Sequence, residues 1–314
     1  MILKEKSMDQ AKFSPEMLQS IMNPRDPAAA IRKLMAIGNA EMLRPMIEKV
    51  DMLKYGGDLL QAACTLGKRD ILELLLNKGA DLMNPPDAIA GEDAYRRAPF
   101  MLMAASSGDV ETLELVVNRG GSIADCGFIT LSKKRKNHVI SNVVGCAAWF
   151  GRKKMLEFVL KRLDKSYLEL QAKETADVNQ KGSFTKEYSK YTPIMLTVAK
   201  GDENLDCLKV LLQQGANFAA RDEYNNGLLH IAALNNNNKM LDYLSKNLKI
   251  DIFERNRKGE TALNICQTNK NAAGIEILEK FQQECDNSRS LANELLNELE
   301  NEEAHGEEAK AKRK

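Results

Sequence analysis

The feature that most constrains this chain is a passage written twice. From Gly215-Ala216-Asn217 a polar run, Arg221-Asp222-Glu223-Tyr224-Asn225-Asn226, leads into Gly227-Leu228-Leu229-His230-Ile231-Ala232-Ala233, and Met240, Leu241 and Leu244 follow. The same order returns from Asp251 through Asn256 and Gly259 to Thr261-Ala262-Leu263-Asn264-Ile265-Cys266, followed by Ile275, Ile277 and Leu278. Setting Ala232 against Cys266 gives a step of 34 residues. A fixed period of this size is the signature of stacked repeats.

Each unit reads as an Asn/Asp/Gly-rich turn, a short apolar helix carrying small residues, and a second helix rich in Leu, Val and Ile that runs back. Isolated helices shorter than about 12–15 residues are marginal in water. Such units must therefore lean on neighbours. Small pairs, Ala104-Ala105, Ala147-Ala148 and Ala232-Ala233, let helices approach closely, and bulky second-helix residues fill the seam.

The pattern can be followed toward the N-terminus. Ile31, Leu34, Met35, Met42, Leu43, Met46 and Ile47 outline a degenerate first unit, in which Pro45 argues against a straight second helix. A second unit opens at Asp58 and holds Ala62-Ala63-Cys64, a third follows Pro99, a fourth opens at Asn142 and a fifth at Thr192-Pro193. With both end copies there are about seven. Asp58, Asn142, Thr192, Gly227 and Thr261 suit the N-cap of each first helix. Aligning Ala63, Ala104, Ala147, Thr197, Ala232 and Cys266 gives steps of 41, 43, 50, 35 and 34. The early junctions therefore carry insertions, expected at 85–97, 127–138 and 164–190, projecting as loops that are either ordered and functional or disordered elaborations.

The flanks read differently. Ser14-Pro15-Glu16 opens a helix with Met17, Leu18, Ile21 and Met22 on one face, which either caps the first layer or forms a mobile arm. Beyond Leu278 the repeat pattern stops. Residues 288–303 form a helix with Leu291, Leu295, Leu296 and Leu299 in a stripe among glutamates, suited to lie on the last unit as a lid, and a charged tail ends the chain. The expected segments are 1–28, an array over 29–283, and 284–314.

These residues resemble the ankyrin repeat family: the period, the Thr192-Pro193 pair, and His230 at the histidine of the Thr-Pro-Leu-His motif. The resemblance implies an all-α ankyrin-repeat solenoid with β-hairpin-like loops between units, insertions in the early junctions and a C-terminal helix. His230 is then expected to bond locally between turns.

Composition narrows the function. Of the 314 residues 44% are hydrophobic and only 5% aromatic, and the net charge is +1. No overall field marks nucleic acid or a membrane surface as the ligand. The basic run Lys133-Lys134-Arg135-Lys136 reads as a solvated loop tip, an import peptide or a phosphate contact. Six scattered cysteines without metal-ligand spacing suit reduced thiols in the cytoplasm, with the nucleus also open. The sequence carries no signal peptide and no long apolar span. His138, His230 and His305 lie far apart, and no phosphate-binding or nucleophile-elbow motif is present. No catalytic residue, metal ligand, cofactor or small-molecule substrate is expected.

What remains is a surface for another protein. Family members usually bind through hairpin tips and through the positions just after the small pair of each first helix. Carried over, the helix positions are Thr65, Leu66, Ser106, Ser107, Trp149, Phe150, Leu234, Asn235, Thr268 and Asn269. The hairpin positions are Glu223, Tyr224, Asn226, Arg257, Lys258 and Glu260. Trp149 and Phe150, the only Trp and an adjacent ring, are the sharpest candidates as exposed aromatic anchors, unless a neighbouring insertion covers them. The expected function is a non-enzymatic adaptor. The alternatives are a structural component of a larger assembly and a nucleic-acid-associated factor acting through the basic loop and tail.

Overall fold

A computed structural model describes residues 27–82, 100–121, 123, 126–132, 137–163, 168 and 191–311. Helices follow in pairs: α1 (Pro27–Met35) and α2 (Ala40–Ile47), α3 (Met52–Leu66) and α4 (Arg69–Asn77), α5 (Phe100–Ser107) and α6 (Val110–Asn118). After the strands β1 (Cys126–Ser132) and β2 (Asn137–Asn142) come α7 (Val143–Trp149) and α8 (Lys153–Leu160). Then follow α9 (Pro193–Lys200) and α10 (Leu205–Gln213), α11 (Leu228–Leu234) and α12 (Asn238–Asn247), and α13 (Ala262–Thr268) and α14 (Ala272–Ala311). This is the all-α repeat architecture. The expected capping helix at 14–22, Pro99, the basic run at 133–136 and most of the insertions at 85–97 and 164–190 lie outside the described residues.

The chain divides into two compact units, one of residues up to 196 together with 206–216, the other of 197–205 and 217 onward. Within the first, α1, α3, α5 and α7 stack in one layer and α2, α4, α6 and α8 in another. Within the second, α11 lies on α13 and α12 on α14. The seams are dry. Ala63, Cys64, Ala104, Ala105, Ala147, Ala148, Ala232, Ala233 and Cys266 are all fully buried, as are Ile71, Leu72, Leu75, Leu113, Leu156, Met240 and Leu241. Small residues bring the first helices close and branched residues of the second helices fill the gap behind them.

A polar latch recurs at the turns of four pairs. A side chain at the start of the returning helix, or at the turn before it, donates to a carbonyl at the end of the preceding unit's first helix. Lys68 Nζ reaches Gly38 O at 3.4 Å, Arg152 Nε reaches Ser106 O at 2.7 Å, Asn237 Nδ2 reaches Val198 O at 2.7 Å, and Asn269 Nδ2 reaches Ala233 O at 3.2 Å. The last carbonyls of a helix have no partner in their own ladder. The latch satisfies them and fixes the stacking register together.

Several expectations are corrected. Asp58 does not open a helix: α3 begins at Met52, capped by Asp51, whose Oδ1 accepts from Leu53 N at 2.9 Å. Gly56 lies inside α3 because a Cβ there would stand 3.2 Å from the Cβ of Ala80. Pro45 is accommodated within α2, a short helix opened by Asn39, whose Oδ1 accepts from Met42 N at 2.9 Å. The insertion at 127–138 is not simply a loop. Its flanks pair as an antiparallel ladder, Cys126 against Asn142 through Thr130 against His138, with a register irregularity between Thr130 and Ser132. The C-terminal helix is not a separate element either. Chain 272–311 is one helix, with Leu278 buried in the last seam and Leu291, Leu295 and Leu296 each more than half exposed, so this stripe is not a lid.

Candidate partner-binding surface

The two hairpins of the second unit, between α10 and α11 and between α12 and α13, are held by a buried polar network. Asp222 Oδ1 accepts from Tyr224 N and Asn226 N, both at 2.8 Å, and Asp222 Oδ2 accepts from Asn226 Nδ2 at 2.9 Å. Asn256 Nδ2 donates to Asn226 Oδ1 at 3.0 Å, and Asn256 Oδ1 accepts from Lys258 N and Glu260 N. Arg257 N donates to Tyr224 O at 2.9 Å, so one tip leans on the next. Across the same junction the Arg221 guanidinium forks onto the Glu254 carboxylate, with Nε to Oε1 at 2.7 Å and Nη2 to Oε2. Such bidentate charge-assisted pairs fix geometry as well as adding energy.

His230 sits beneath these tips. Its Nδ1 accepts from Gly227 N at 3.3 Å, which leaves Nε2 to donate to Glu260 O at 3.1 Å. Burial pushes its pKa below the usual histidine value, offset in part by the Glu260 carbonyl and the Glu254 carboxylate. Thr261 Oγ1 caps α13 by accepting from Asn264 N at 3.2 Å, and Asn142 caps α7 through Gly145 N at 2.8 Å.

The structure sorts the residues that the resemblance singled out. Many of the polar ones are engaged with backbone. Thr65 donates to Gln61 O, Ser106 to Met103 O, Ser107 to Ala104 O, Asn235 to Ile231 O and Thr268 to Asn264 O, while Asn269 forms the latch to Ala233. Asn226 is buried in the hairpin network rather than exposed at a tip, and Glu260 gives its carbonyl to His230. Trp149 is 6% exposed, which corrects the expectation of an open aromatic anchor; Phe150 beside it is half-buried. Glu223 is half-buried, and Tyr224 is 43% exposed. The candidates that present large or charged side chains outward are Leu66, 43% exposed at the end of α3, Leu234, 45% exposed at the end of α11, and Tyr224, Arg257 and Lys258. Sequence reasoning missed Phe253, an aromatic 41% exposed on the last hairpin. Its signal was the alternation of outward and inward residues along 253–257.

The thiols are protected rather than reactive. Cys64, Cys146, Cys207 and Cys266 are buried and unbridged. Burial pushes the Cys64 thiol up to about 12 and those of Cys207 and Cys266 up to about 11. Cys146 moves the same way and donates to Leu102 O at 3.2 Å. Among the described residues no three His, Cys, Asp or Glu side chains are grouped to hold a metal ion, and no helix is long and apolar enough to cross a membrane.

Stacked helix pairs, hairpin tips cross-linked by polar side chains and a histidine bridging successive turns define a repeat protein of the ankyrin class. The family profile described as ankyrin repeats (3 copies) matches residues 146–256 and 194–290, so ankyrin repeats occupy that part of the chain. It is also similar to the ankyrin repeat protein L271 of Acanthamoeba polyphaga mimivirus, with 32% identity over 93 residues. That alignment takes in 29% of this chain and 12% of the viral protein, so the chain spans a small part of that relative's length. Ankyrin repeats are generally protein–protein interaction modules, and the family is typically non-enzymatic.

Proposed function

We propose that this chain is a non-enzymatic adaptor that holds a partner protein against the ends of its first helices and the tips of its hairpins. The observation that carries the reading is the pair Leu66 and Leu234. Each stands at the C-terminal end of a first helix, one in each compact unit and one position apart in the repeat, and each leaves a large apolar side chain in solvent while a neighbouring polar residue is engaged with backbone. An apolar anchor at the end of a first helix suits a macromolecular ligand laid on that unit. A reducing compartment, the cytoplasm or the nucleus, fits Cys64, Cys146, Cys207, Cys266 and Cys285, which are free thiols.

The test compares proteins captured by the wild type with those captured by Leu66→Glu and Leu234→Glu. Both variants are expected to keep the wild-type thermal midpoint, since the side chains lie outside the core, and each to lose proteins from the set that the wild type captures. Capture of that set undiminished by either substitution overturns the reading.

A further inference from the structure

The last hairpin presents the open half of an interface that the preceding hairpin shows closed. Arg255 stands 34 residues after Arg221, the same period that relates Cys266 to Ala232. The carboxylate that Arg221 grips belongs to Glu254, on the following repeat. After the last hairpin the chain enters α13 and the long α14, and no further hairpin follows among the described residues. Arg255 therefore lacks the carboxylate that its position in the period calls for, and its Nη1 instead donates to the Gly259 carbonyl at 2.6 Å.

The backbone repeats the relation. Tyr224 O accepts from Arg257 N. Its counterpart one period on is Lys258 O, to which nothing donates among the described residues. Exposure alternates along this arm between two turns: Phe253, Arg255 and Arg257 are exposed, whereas Glu254 and Asn256 turn inward to Arg221 and Asn226. The carboxylates of both hairpins are already engaged, Asp222 by Asn226, Glu254 by Arg221, Asp251 by Phe253 N and Glu260 by Asn256, and Glu223 is also in contact. Arg255, Arg257 and Lys258 meet no carboxylate among the described residues.

We infer that this edge, Phe253 to Lys258, docks an extended segment of the partner protein that carries acidic residues at alternate positions. One carboxylate takes Arg255 as Glu254 takes Arg221, and a second meets Arg257. A backbone N–H of the segment reaches Lys258 O, and an apolar side chain covers Phe253. Recognition combines a backbone hydrogen bond at the Lys258 carbonyl with charge complementarity. The inference rests on the adaptor reading and names its partner's chemistry.

The test titrates the full-length protein into a fluorescein-labelled decapeptide of alternating Ala and Glu, read by anisotropy, with an alternating Ala and Gln peptide as control. Binding of the acidic peptide alone is expected, weakened at least about tenfold by Arg255→Glu at an unchanged thermal midpoint. Equal binding of both peptides, no binding of either, or affinity unmoved by Arg255→Glu overturns the inference. A photo-cross-linking residue placed at Lys258 and, separately, at Leu234 in expressing cells distinguishes the two readings. An adduct at 258 that maps to an acidic extended segment and vanishes in Arg255→Glu supports the docking edge. An adduct at 234 without one at 258, or one at 258 with a second copy of this chain, overturns the edge and leaves the adaptor reading intact. No adduct at either position overturns both.

Discussion

His230 Nε2 donates to the carbonyl of Glu260, thirty residues further along the chain, while its Nδ1 accepts from the backbone of Gly227. One neutral imidazole thus closes the start of α11 and ties it to the next hairpin. Protonation removes the acceptor at Nδ1, and the folded state resists it, since burial holds the pKa below its ordinary value. A histidine with a lowered folded pKa binds protons more readily when unfolded, so stability rises with pH across that window. The second unit is expected to be most stable above about pH 6.5 and to weaken as pH falls toward the folded pKa. His230→Ala should cost about 1–2 kcal/mol at pH 7.5 and flatten this dependence. Urea midpoints between pH 5 and 8 check it, and an equally steep slope in the variant would falsify it.

The fork between Arg221 and Glu254, each about a quarter exposed, is shielded enough to contribute. Arg221→Ala and Glu254→Ala should each destabilise by about 1–2 kcal/mol, with a coupling near 1 kcal/mol in the double-mutant cycle. Exposed pairs such as Arg69 with Glu111 should show a coupling of only about 0.5 kcal/mol. Coupling as small for the first pair as for the second counts against its place in the hairpin junction.

Gly145 lies in the first turn of α7, where a Cβ would fall 2.0 Å from Ser141 Oγ and 3.3 Å from Leu196 Cδ1. Gly145→Ala is expected to destabilise by about 1–3 kcal/mol through overpacking. Adding Ser141→Ala should recover part of that loss. Chemical denaturation of the two variants decides it, and a neutral Gly145→Ala would show that the contact relaxes.

Lys270 holds a left-handed conformation, φ +56°, in the turn between α13 and α14, where a side chain is disfavoured. Lys270→Gly should stabilise by about 0.5–1 kcal/mol. Asn236, at the same φ of +56° after α11, should gain less from glycine, because asparagine tolerates that region. Thermal midpoints should rise for the first and barely move for the second.

Thiol reactivity should follow burial. At pH 8 iodoacetamide is expected to label Cys285, which is half-buried, well before Cys64, Cys146, Cys207 and Cys266, whose thiols are raised by desolvation. Mass mapping of adducts against time reads this order. Early modification of Cys64 or Cys266 would show that the seams open.

What the residues reveal in advance, and what they hide, can be argued position by position. The period between Ala232 and Cys266 located the helix pairs of the second unit because both copies keep a turn, a cap and a small buried residue in fixed order. Asn142 and Thr261 were legible as caps for the same reason. Asp58 misled because the buried pair Gly56 and Gly57 looks like a turn, whereas Gly56 is small for the sake of Ala80. The β1/β2 pairing escaped a search tuned to a helical period. Helix α14 runs across residue 283 because no Gly or Pro interrupts the chain between Gly274 and Gly306. At the surface, the family's positions indicated where to look but not which side chains were already committed. The burial of Trp149 and the hydrogen bonds of Thr65, Asn226 and Asn235 depend on neighbours that a linear pattern does not display.

The continuous helix α14 has a mechanical meaning. Forty residues of α-helix form a rod about 60 Å long. Near its root, Gly274 and Leu278 are buried, while residues 286–298 stand exposed. A load applied at the distal end acts through a long arm on that short footing. Whatever grips the rod at its far end can therefore pry at the final repeat with a torque that no compact lid would deliver.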